Sequence, residues 1–264
     1  MNNTQLKDVQ KQNDIRGIDI QKVGVNGVDV PLIIERKDEE SQTVSAKARV
    51  SVTLPHNYRG THMSRFIEVL SEYTTKNILG VDIKAFLKDV NKKLESKCAH
   101  AKFEFKYYIN KKAPVSGMEF PIAYDCSFQG DLNDDDYKFI LGVKVPITTL
   151  CPCSKEISKY SAHNQRTMVK VKVSYNEKDM IWIEDLVSAI EECGSSQIYS
   201  ILKRSDEKFV TEKAYENPKF VEDVLRDIIC MLKQNEKITF YEVEVEAQES
   251  IHNHNAWAWQ SETK

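Results

Sequence analysis

Side chains able to bind a metal ion and an anion lie close together between residues 151 and 166. Cys151 and His163 form a thiol and imidazole pair of the kind that binds zinc and related divalent ions. Lys155 and Arg166 lie beside them and could bind an anion. Cys153 is a second thiol, and the simpler interpretation is that Cys151 and Cys153 both pack in the core. A metal ion with fixed cations nearby indicates hydrolysis of a phosphorylated compound.

Further histidines could complete such a site. His252 and His254 are separated by one residue, so both imidazoles point to the same side of an extended chain. With Glu249 just before them, they could act as metal ligands or as acid–base groups. His62 and Arg65 lie in the first turn of a predicted helix, where the helix N-terminus favours anions. An ordinary capped surface helix is the alternative for that pair.

Glu222 is a candidate for binding a planar polar edge. Helical spacing places it at the margin of an apolar stripe, whereas Asp223 points further away. A carboxylate held there could accept two parallel hydrogen bonds from the N1–H and N2–H₂ groups of guanine. The alternative is a surface glutamate in an ion pair.

The composition limits the class of protein. The chain has 264 residues, of which 41% are hydrophobic and 29% are charged, as in soluble globular proteins. The net charge of −3 provides no overall basic field for nucleic acid, so phosphate binding has to be local. We see no secretory signal and no run of apolar residues long enough to span a membrane. We therefore expect a cytoplasmic protein whose six cysteines are reduced.

The hydrophobic pattern predicts a repeated unit. Alternating strands and amphipathic helices occur in the same order over residues 42–110 and 137–250, as strands, two helices and strands. This pattern predicts an α+β fold, with antiparallel sheets that carry amphipathic helices on one face. The predicted domains are an N-terminal arm with the first strand (1–40), a first module (41–120) and a second module (121–264).

Three element boundaries are predicted in the second module. Gly194 is the expected C′ glycine of a helix whose apolar stripe runs from Leu186 to Ile190. Asn217 and Pro218 are the expected N-cap and first residue of the next helix. The alternating residues 238–247 are expected to form the last strand.

Six segments, in this order, resemble the type IB GTP cyclohydrolases. They are 60–66 (GTHMSRF), 113–117 (APVSG), 151–158 (CPCSKEIS), 162–166 (AHNQR), 210–218 (VTEKAYENP) and 249–254 (ESIHNH). The resemblance covers about residues 14–258. It implies the tunnelling fold, with two such modules in each chain. It also implies a homotetramer whose active sites lie at the interfaces between chains.

The resemblance further implies a reaction and a ligand set. GTP and water would give formate and 7,8-dihydroneopterin triphosphate, in the first step of folate-type pterin biosynthesis. The implied metal ligands are Cys151, His163, Glu207 and His252. Glu222 would anchor the purine. Glu212 and Glu216 lie near Glu207 in sequence and remain alternatives to it.

Each of the other candidate residues has a role in this chemistry. One divalent ion per site, zinc or manganese with iron or magnesium as further candidates, would activate water for attack on C8 of guanine. His254 would transfer protons, and Cys153 would assist Cys151 or only pack. The triphosphate would bind to cationic side chains, two of them from a neighbouring chain. These are Lys155, Arg166, and the neighbour's counterparts of His62 and Arg65.

Two alternative functions remain open at this point. A nitrile reductase acting on a deazaguanine shares the fold and the glutamate anchor, but it needs a cysteine nucleophile and a nicotinamide nucleotide. The His252–His254 pair argues against that chemistry, which needs no metal and has little use for three soft or borderline ligands. A non-enzymatic purine-binding or metal-binding module is the other alternative, although structural zinc is usually enclosed by four protein ligands, often cysteines.

Overall fold

The computed structural model describes residues 9–78, 80–176 and 178–264, and these form two compact units. The first unit comprises residues 9–105 and 127–139, and the second comprises residues 106–126 and 140–264. The units thus interleave along the chain, whereas a single boundary after residue 120 was predicted. The predicted module boundaries stay a prediction, and residues 1–8 of the predicted arm lie outside the described residues.

The first unit contains a sheet and two helices. Its elements in chain order are β1 (Ile20–Ile34), β2 (Gln42–Leu54), α1 (Met63–Tyr73), β3 (Asn77–Ile78), α2 (Gly80–Leu94) and the beginning of β4 (Cys98–Lys112). The sheet order is β3-β1-β2-β4, in which only the short β3 pairs in parallel. The inner residues of β2, from Val44 to Leu54, alternate as predicted and are buried. Edge-to-face contacts of Phe86 with Tyr73 and Phe103 join α2 to α1 and β4.

The second unit has the same kind of architecture, with more helices. The elements that follow β4 in chain order are β5 (Glu119–Asn133), β6 (Asp136–Leu150), α3 (Pro152–Ile157), β7 (Asn164–Tyr175), α4 (Ile183–Glu192), α5 (Arg204–Glu216), α6 (Val221–Gln234), β8 (Ile238–Gln248) and β9 (Ala256–Thr263). In this unit β6, β7, β8 and β9 are antiparallel neighbours in that order. The predicted α+β fold with antiparallel sheets and amphipathic helices is confirmed.

Strands β7 and β8 show how the pattern separates a core face from a polar face. Inward-facing residues, among them Val171 and Val243, are fully buried. The opposite face carries ion pairs between directly facing residues, such as Lys170 Nζ with Glu244 Oε1 at 2.5 Å. Alternation along each strand thus places valines in the core and charged pairs outside it.

Two predicted helix boundaries need correction. Helix α6 begins at Val221 with Phe220 as its N-cap, so the prediction that Asn217 and Pro218 start it was wrong. The Asn217 side chain instead donates a hydrogen bond to the Gly194 carbonyl, and Asn217 ends α5. Gly194 does follow α4, but its backbone is not left-handed. A Cβ there would lie 2.9 Å from Cβ of Ile147, so close packing is what requires glycine.

Several elements have no counterpart in the predicted pattern, and α5 and β9 are two of them. Helix α5 buries only Asp206 and Ala214, too few residues to give an apolar stripe. Strand β9 follows β8 and pairs with it, so residues 238–247 are not the last strand. No helix within the described residues is long and apolar enough to span a membrane.

Candidate functional site

Three segments that carry candidate residues meet at one end of the sheet in the second unit. Cys151 follows the last residue of β6, and His163 precedes the first residue of β7. Leu150 pairs with Asn164, and the Cys151 N–H donates to the His163 carbonyl at 3.2 Å. Since the end of β8 pairs with the start of β7, the chain that follows β8 emerges at this same end. The backbone alone therefore brings Cys151 and His163 together.

The short helix α3 fixes the position of the Cys151 thiol. Cys151 is the N-cap of α3, and its Sγ accepts a hydrogen bond from the Ser154 N–H at 3.4 Å. Pro152 suits the first helical position, where an N–H would have no helical partner. Cys151 is half-buried, whereas Cys153 is exposed. The alternative in which both thiols are buried in the core is therefore wrong, and Cys151 is the thiol that the fold orients.

His163 is held by a hydrogen bond that leaves one ring nitrogen for another partner. Its Nδ1 lies 3.0 Å from the Ser250 hydroxyl, in the segment that follows β8. A hydrogen bond at one imidazole nitrogen orients the ring and directs the other nitrogen to a metal ion. Among the residues that the structure describes, no partner is found for Nε2 of His163. A thiol and an oriented imidazole thus lie at adjoining strand ends.

The two C-terminal histidines lie side by side and are exposed. The ring centroids of His252 and His254 are 5.2 Å apart, with 16° between the ring planes. They occupy a bend between β8 and β9 rather than the extended chain that was predicted. The Glu249 carboxylate accepts a hydrogen bond from Gln165 Nε2 at 2.9 Å, which ties this bend to β7.

The carboxylate ligand predicted for the metal lies on α5. Glu207 is in the first turn of that helix and is exposed. The alternative Glu212 is paired with Lys208 at 3.4 Å, and Glu216 is the last residue of the helix. Within the described residues, no three or more His, Cys, Asp or Glu side chains are grouped so as to hold a metal ion. The four predicted ligands are therefore not gathered into one cluster in this part of the chain, and of them the backbone brings Cys151 and His163 together.

Helix α5 is tied to the strand end that carries Cys151. Lys155 Nζ donates to the Tyr215 carbonyl at 2.6 Å and lies 4.2 Å from the centre of the Tyr215 ring. The Lys219 N–H, just after α5, donates to the Leu150 carbonyl at 3.0 Å. Lys155 thus joins α3 to the end of α5, whereas Arg166 is exposed at the start of β7.

Glu222 does not have the burial that its spacing predicted. It is exposed in the first turn of α6, and the neighbouring Asp223 is half-buried. The Asp223 carboxylate turns back to accept the Phe220 N–H at 3.0 Å and also accepts from Arg226 at 3.4 Å. The prediction that Asp223 points further away was therefore wrong, because capping draws it towards the helix start.

The predicted anion-binding residues His62 and Arg65 belong to the first unit. His62 is at the N-cap position of α1. Arg65 Nη1 donates to the Lys93 carbonyl at 3.2 Å and to Glu95 Oε1 at 3.4 Å. Both line a polar groove of about 570 Å³ that also contains Glu68. This groove combines acidic and basic side chains, so Arg65 already has an acidic partner.

Some residues at the site were not singled out from the sequence. Ser250 orients His163, Tyr215 binds Lys155, and Asp206 lies beside Glu207 as a fully buried carboxylate. Ser250 and Tyr215 lie in two of the six segments that resemble the cyclohydrolases, and this position was the only sequence signal for them. No sequence signal pointed to Asp206, because two adjacent acidic residues do not reveal which of them is buried.

Comparison with known proteins identifies the family. Residues 6–258 match the family described as "Type I GTP cyclohydrolase folE2". The chain is 51% identical over 253 residues to GTP cyclohydrolase FolE2 of Geotalea uraniireducens, covering 96% of this chain and 92% of the relative. It is 49% identical over 253 residues to GTP cyclohydrolase FolE2 of Fervidobacterium nodosum, covering 96% of each.

The fold has counterparts among solved structures of low sequence identity. A uricase from Bacillus fastidious matches with a TM-score of 0.58 and 7% identity, over 92% of this chain and 93% of the uricase. The uricase from Arthrobacter globiformis matches with a TM-score of 0.54 and 5% identity, over the same shares. These likenesses confirm the predicted tunnelling fold and carry no functional conclusion. The sequence matches do carry a functional conclusion: they show that the chain belongs to the type I GTP cyclohydrolase FolE2 family.

Proposed function

We propose that this chain is a metal-dependent GTP cyclohydrolase of type IB, which converts GTP and water to formate and 7,8-dihydroneopterin triphosphate. The observation that carries the proposal is the pair of Cys151 and His163 at adjoining strand ends, in a chain of the FolE2 family. Because GTP is the substrate, we propose that the enzyme acts in the cytoplasm, in the first step of folate-type pterin biosynthesis.

The proposed metal ligands are Cys151, His163, Glu207 and His252. The orientation of His163 by Ser250 supports the first two, because second-sphere hydrogen bonds of this kind fix ligating imidazoles. When bound, a divalent ion lowers the pKa of water towards about 7 and so provides a nucleophile for C8 of guanine at neutral pH. Zinc and manganese are the first candidates, and iron and magnesium follow.

The remaining chemistry falls to side chains near this pair. Opening of the imidazole ring of guanine needs protons at its nitrogens, and His254 is the proposed acid–base group. The exposed position of His254 beside His252 supports this role, since a proton donor has to reach the substrate. The exposed Cys153 would assist from α3. Glu222 would accept the two N–H donors of the guanine edge.

The triphosphate would be held by cations from more than one chain. Arg166 is proposed as the main contact, because its side chain is exposed beside the Cys151–His163 pair. Lys155 is a second contact, although its ammonium also binds Tyr215. His62 and Arg65 would be supplied by a neighbouring copy in a homotetramer whose active sites lie at the interfaces. Neither membrane nor nucleic acid is expected as a partner.

One assay tests the proposal directly. Metal-stripped protein is incubated with GTP, without metal and with added zinc, manganese, iron or magnesium. The products are then oxidised and dephosphorylated, and neopterin fluorescence and formate are measured. Metal-dependent appearance of both products is expected. Formate without neopterin would contradict the proposed product, and neither product with any of the four metals would contradict the reaction.

A nitrile reductase is the alternative enzyme of this fold. It would require oxidation of a nicotinamide nucleotide, and family membership favours the cyclohydrolase instead. Loss of NADPH absorbance with a nitrile-bearing deazaguanine, in protein that is inactive on GTP, would reverse the assignment. A non-enzymatic module would bind GTP or metal and give no product in either assay.

A further inference from the structure

We infer that Ser116 and Asp206 are positioning residues of the metal site, which fix the first turn of α5 and thereby the Glu207 carboxylate. The inference rests on the proposed function, in which Glu207 is a metal ligand. It concerns a segment, Ala113–Gly117, that is among those resembling the cyclohydrolases but has no role in the chemistry described so far.

Both carboxylate oxygens of Asp206 accept hydrogen bonds. It is fully buried, and its Oδ1 accepts the backbone N–H groups of Val115 and Ser116, each at 2.8 Å. Its Oδ2 accepts the Ser116 hydroxyl at 2.6 Å and the Lys203 N–H at 2.8 Å. Burial by itself would raise the pKa of Asp206, but these hydrogen bonds, led by those from Ser116, hold the pKa well below its usual range. The side chain therefore lies in a receptor of four hydrogen-bond donors.

The receptor is the loop between β4 and β5. Gly117 has a φ of +68°, which favours glycine and turns the chain back on itself. The Ala113 N–H donates to the Met118 carbonyl at 2.8 Å, and the Gly117 N–H donates to the Ala113 carbonyl at 3.1 Å. These bonds close the turn and leave the N–H groups at its tip for Asp206. The sequence Ala-Pro-Val-Ser-Gly is therefore explained by the shape that Asp206 requires.

Glu207 follows Asp206 in the same turn and shares Lys203 with it as a hydrogen-bond partner. Its N–H donates to the Lys203 carbonyl at 2.9 Å, and its own carbonyl accepts the Thr211 hydroxyl at 2.7 Å. The carboxylate of Glu207 is exposed, and no hydrogen bond or ion pair is found for it in the part of the chain that the structure describes. The backbone of this residue is thus fixed on both sides, while its charged end is left for another partner.

Fixing that backbone should matter more for metal binding than for folding alone. A ligand on a rigid turn loses less conformational freedom on binding a metal ion than one on a frayed helix end. Residues behind the ligands of a metal site typically change metal affinity by about 10-fold to 100-fold when mutated. A merely structural role would instead lower stability without changing the affinity of the folded protein.

The test compares zinc affinity with thermal stability in five variants of the full chain. Ser116→Ala removes one donor to Asp206, Ser116→Thr retains the hydroxyl, and Asp206→Asn changes the acceptor. Glu207→Gln removes the proposed ligand itself. Thr239→Ala is the matched control, since it removes one hydroxyl bond, to the Ser174 carbonyl, at the other end of the β7–β8 pair.

Zinc dissociation constants are measured by competition with a chromophoric chelator, well below each melting temperature. We expect Ser116→Ala to raise the dissociation constant by about 10-fold, Ser116→Thr to restore it, and Thr239→Ala to leave it unchanged. Asp206→Asn should have at least the effect of Ser116→Ala. If Asp206→Asn does not fold, the comparison of Ser116→Ala with Ser116→Thr still tests the positioning role.

Two results would overturn the inference, and they are distinguishable. Wild-type zinc affinity in Ser116→Ala, with weakened binding in Glu207→Gln, would refute the positioning role and leave the ligand set intact. Wild-type affinity in Glu207→Gln would refute both the inference and Glu207 as a ligand. Neopterin formation by the unmodified protein, measured alongside, reports on the proposed reaction independently of either result.

Discussion

Helices α5 and α6 start in the same way but are held differently. Each carries an aspartate and a glutamate in its first turn, Asp206 with Glu207 and Glu222 with Asp223. In both helices the aspartate accepts the N–H of the N-cap residue, from Lys203 at 2.8 Å and from Phe220 at 3.0 Å. In both, the adjacent glutamate is exposed.

The difference lies in what else the aspartate binds. Asp206 is fully buried and holds a loop some 90 residues earlier in the chain. Asp223 is half-buried, and besides the Phe220 N–H it binds Arg226 in its own helix. Asp206 therefore ties the start of α5 to a distant loop, whereas Asp223 caps the start of α6 locally. The turn tied to the loop carries the proposed metal ligand, and the locally capped turn carries the proposed purine anchor.

Replacing the two glutamates is the strongest test of this contrast, and Glu207→Gln should have the larger effect. We expect kcat/KM for GTP to fall by about 1,000-fold or more, because the metal contributes several kcal/mol to transition-state stabilisation. Elemental analysis after gel filtration should find less zinc or manganese than in the unmodified protein. Full metal content with normal activity would remove Glu207 from the site and leave Glu212 or Glu216 as the ligand.

Glu222→Gln should retain metal and lose affinity for GTP. An amide accepts only one of the two hydrogen bonds from the guanine edge and lacks the charge, so we expect KM to rise by about 100-fold. Steady-state kinetics with GTP, together with metal analysis of the same sample, measure both quantities. Loss of metal from this variant would mean that Glu222, and not only Glu207, acts at the metal ion.

The two aspartates should differ in stability. Asp206→Ala leaves four donors without their partner in a buried site, and we expect the melting temperature to fall by about 10 °C. Asp223→Ala loses a cap contributing about 1 kcal/mol, equivalent to about 3 °C. Thermal unfolding followed by circular dichroism at pH 7 measures both. Equal shifts in the two variants would show that the loop adds nothing to the cap.

The same pair predicts a dependence on pH. The pKa of Asp206 is lowered on folding, so its contribution to stability is complete above the unfolded pKa of about 3.9 and is lost as pH falls below it. The difference in melting temperature between the unmodified protein and Asp206→Ala should therefore persist at pH 5 and shrink by pH 3. A constant difference over that range would contradict the anionic state of Asp206.

The contrast between α5 and α6 also explains what sequence could predict. Strands such as β2, β7 and β8 alternate because one face is buried, and that period is visible in the residues. Helix α6 buries Val224, Ile228 and Leu232 on one face, and its stripe was recognised. Helix α5 is held by the polar contacts of Asp206 and Tyr215, which leave no periodic trace. Its existence, and the role of Ala113–Gly117, follow only from the tertiary structure.

The site shows the same limit on a smaller scale. Cys151 and His163 were predicted from residue type and spacing, and strand pairing brings them together. The burial of Glu222 relative to Asp223 was predicted wrongly, because helical spacing does not include the pull of an N-cap. The spacing of hydrophobic residues predicts which face of a helix is apolar. Which of two adjacent acidic side chains turns towards the helix start depends on the capping hydrogen bond.

Lys155 and Arg166 extend the comparison to the cations, with the smallest expected effects. Because Lys155 already binds Tyr215 and Arg166 is exposed, Arg166→Met should raise KM for GTP by about 10-fold and Lys155→Met by less than about 3-fold. Lys155→Met should instead lower the melting temperature by about 2 °C, as α3 loses its link to α5. Steady-state kinetics at low and high salt, with thermal unfolding, separate the two roles. An equal rise in KM for both variants would mean that Lys155 leaves Tyr215 to bind the triphosphate, and that the link between α3 and α5 opens when GTP binds.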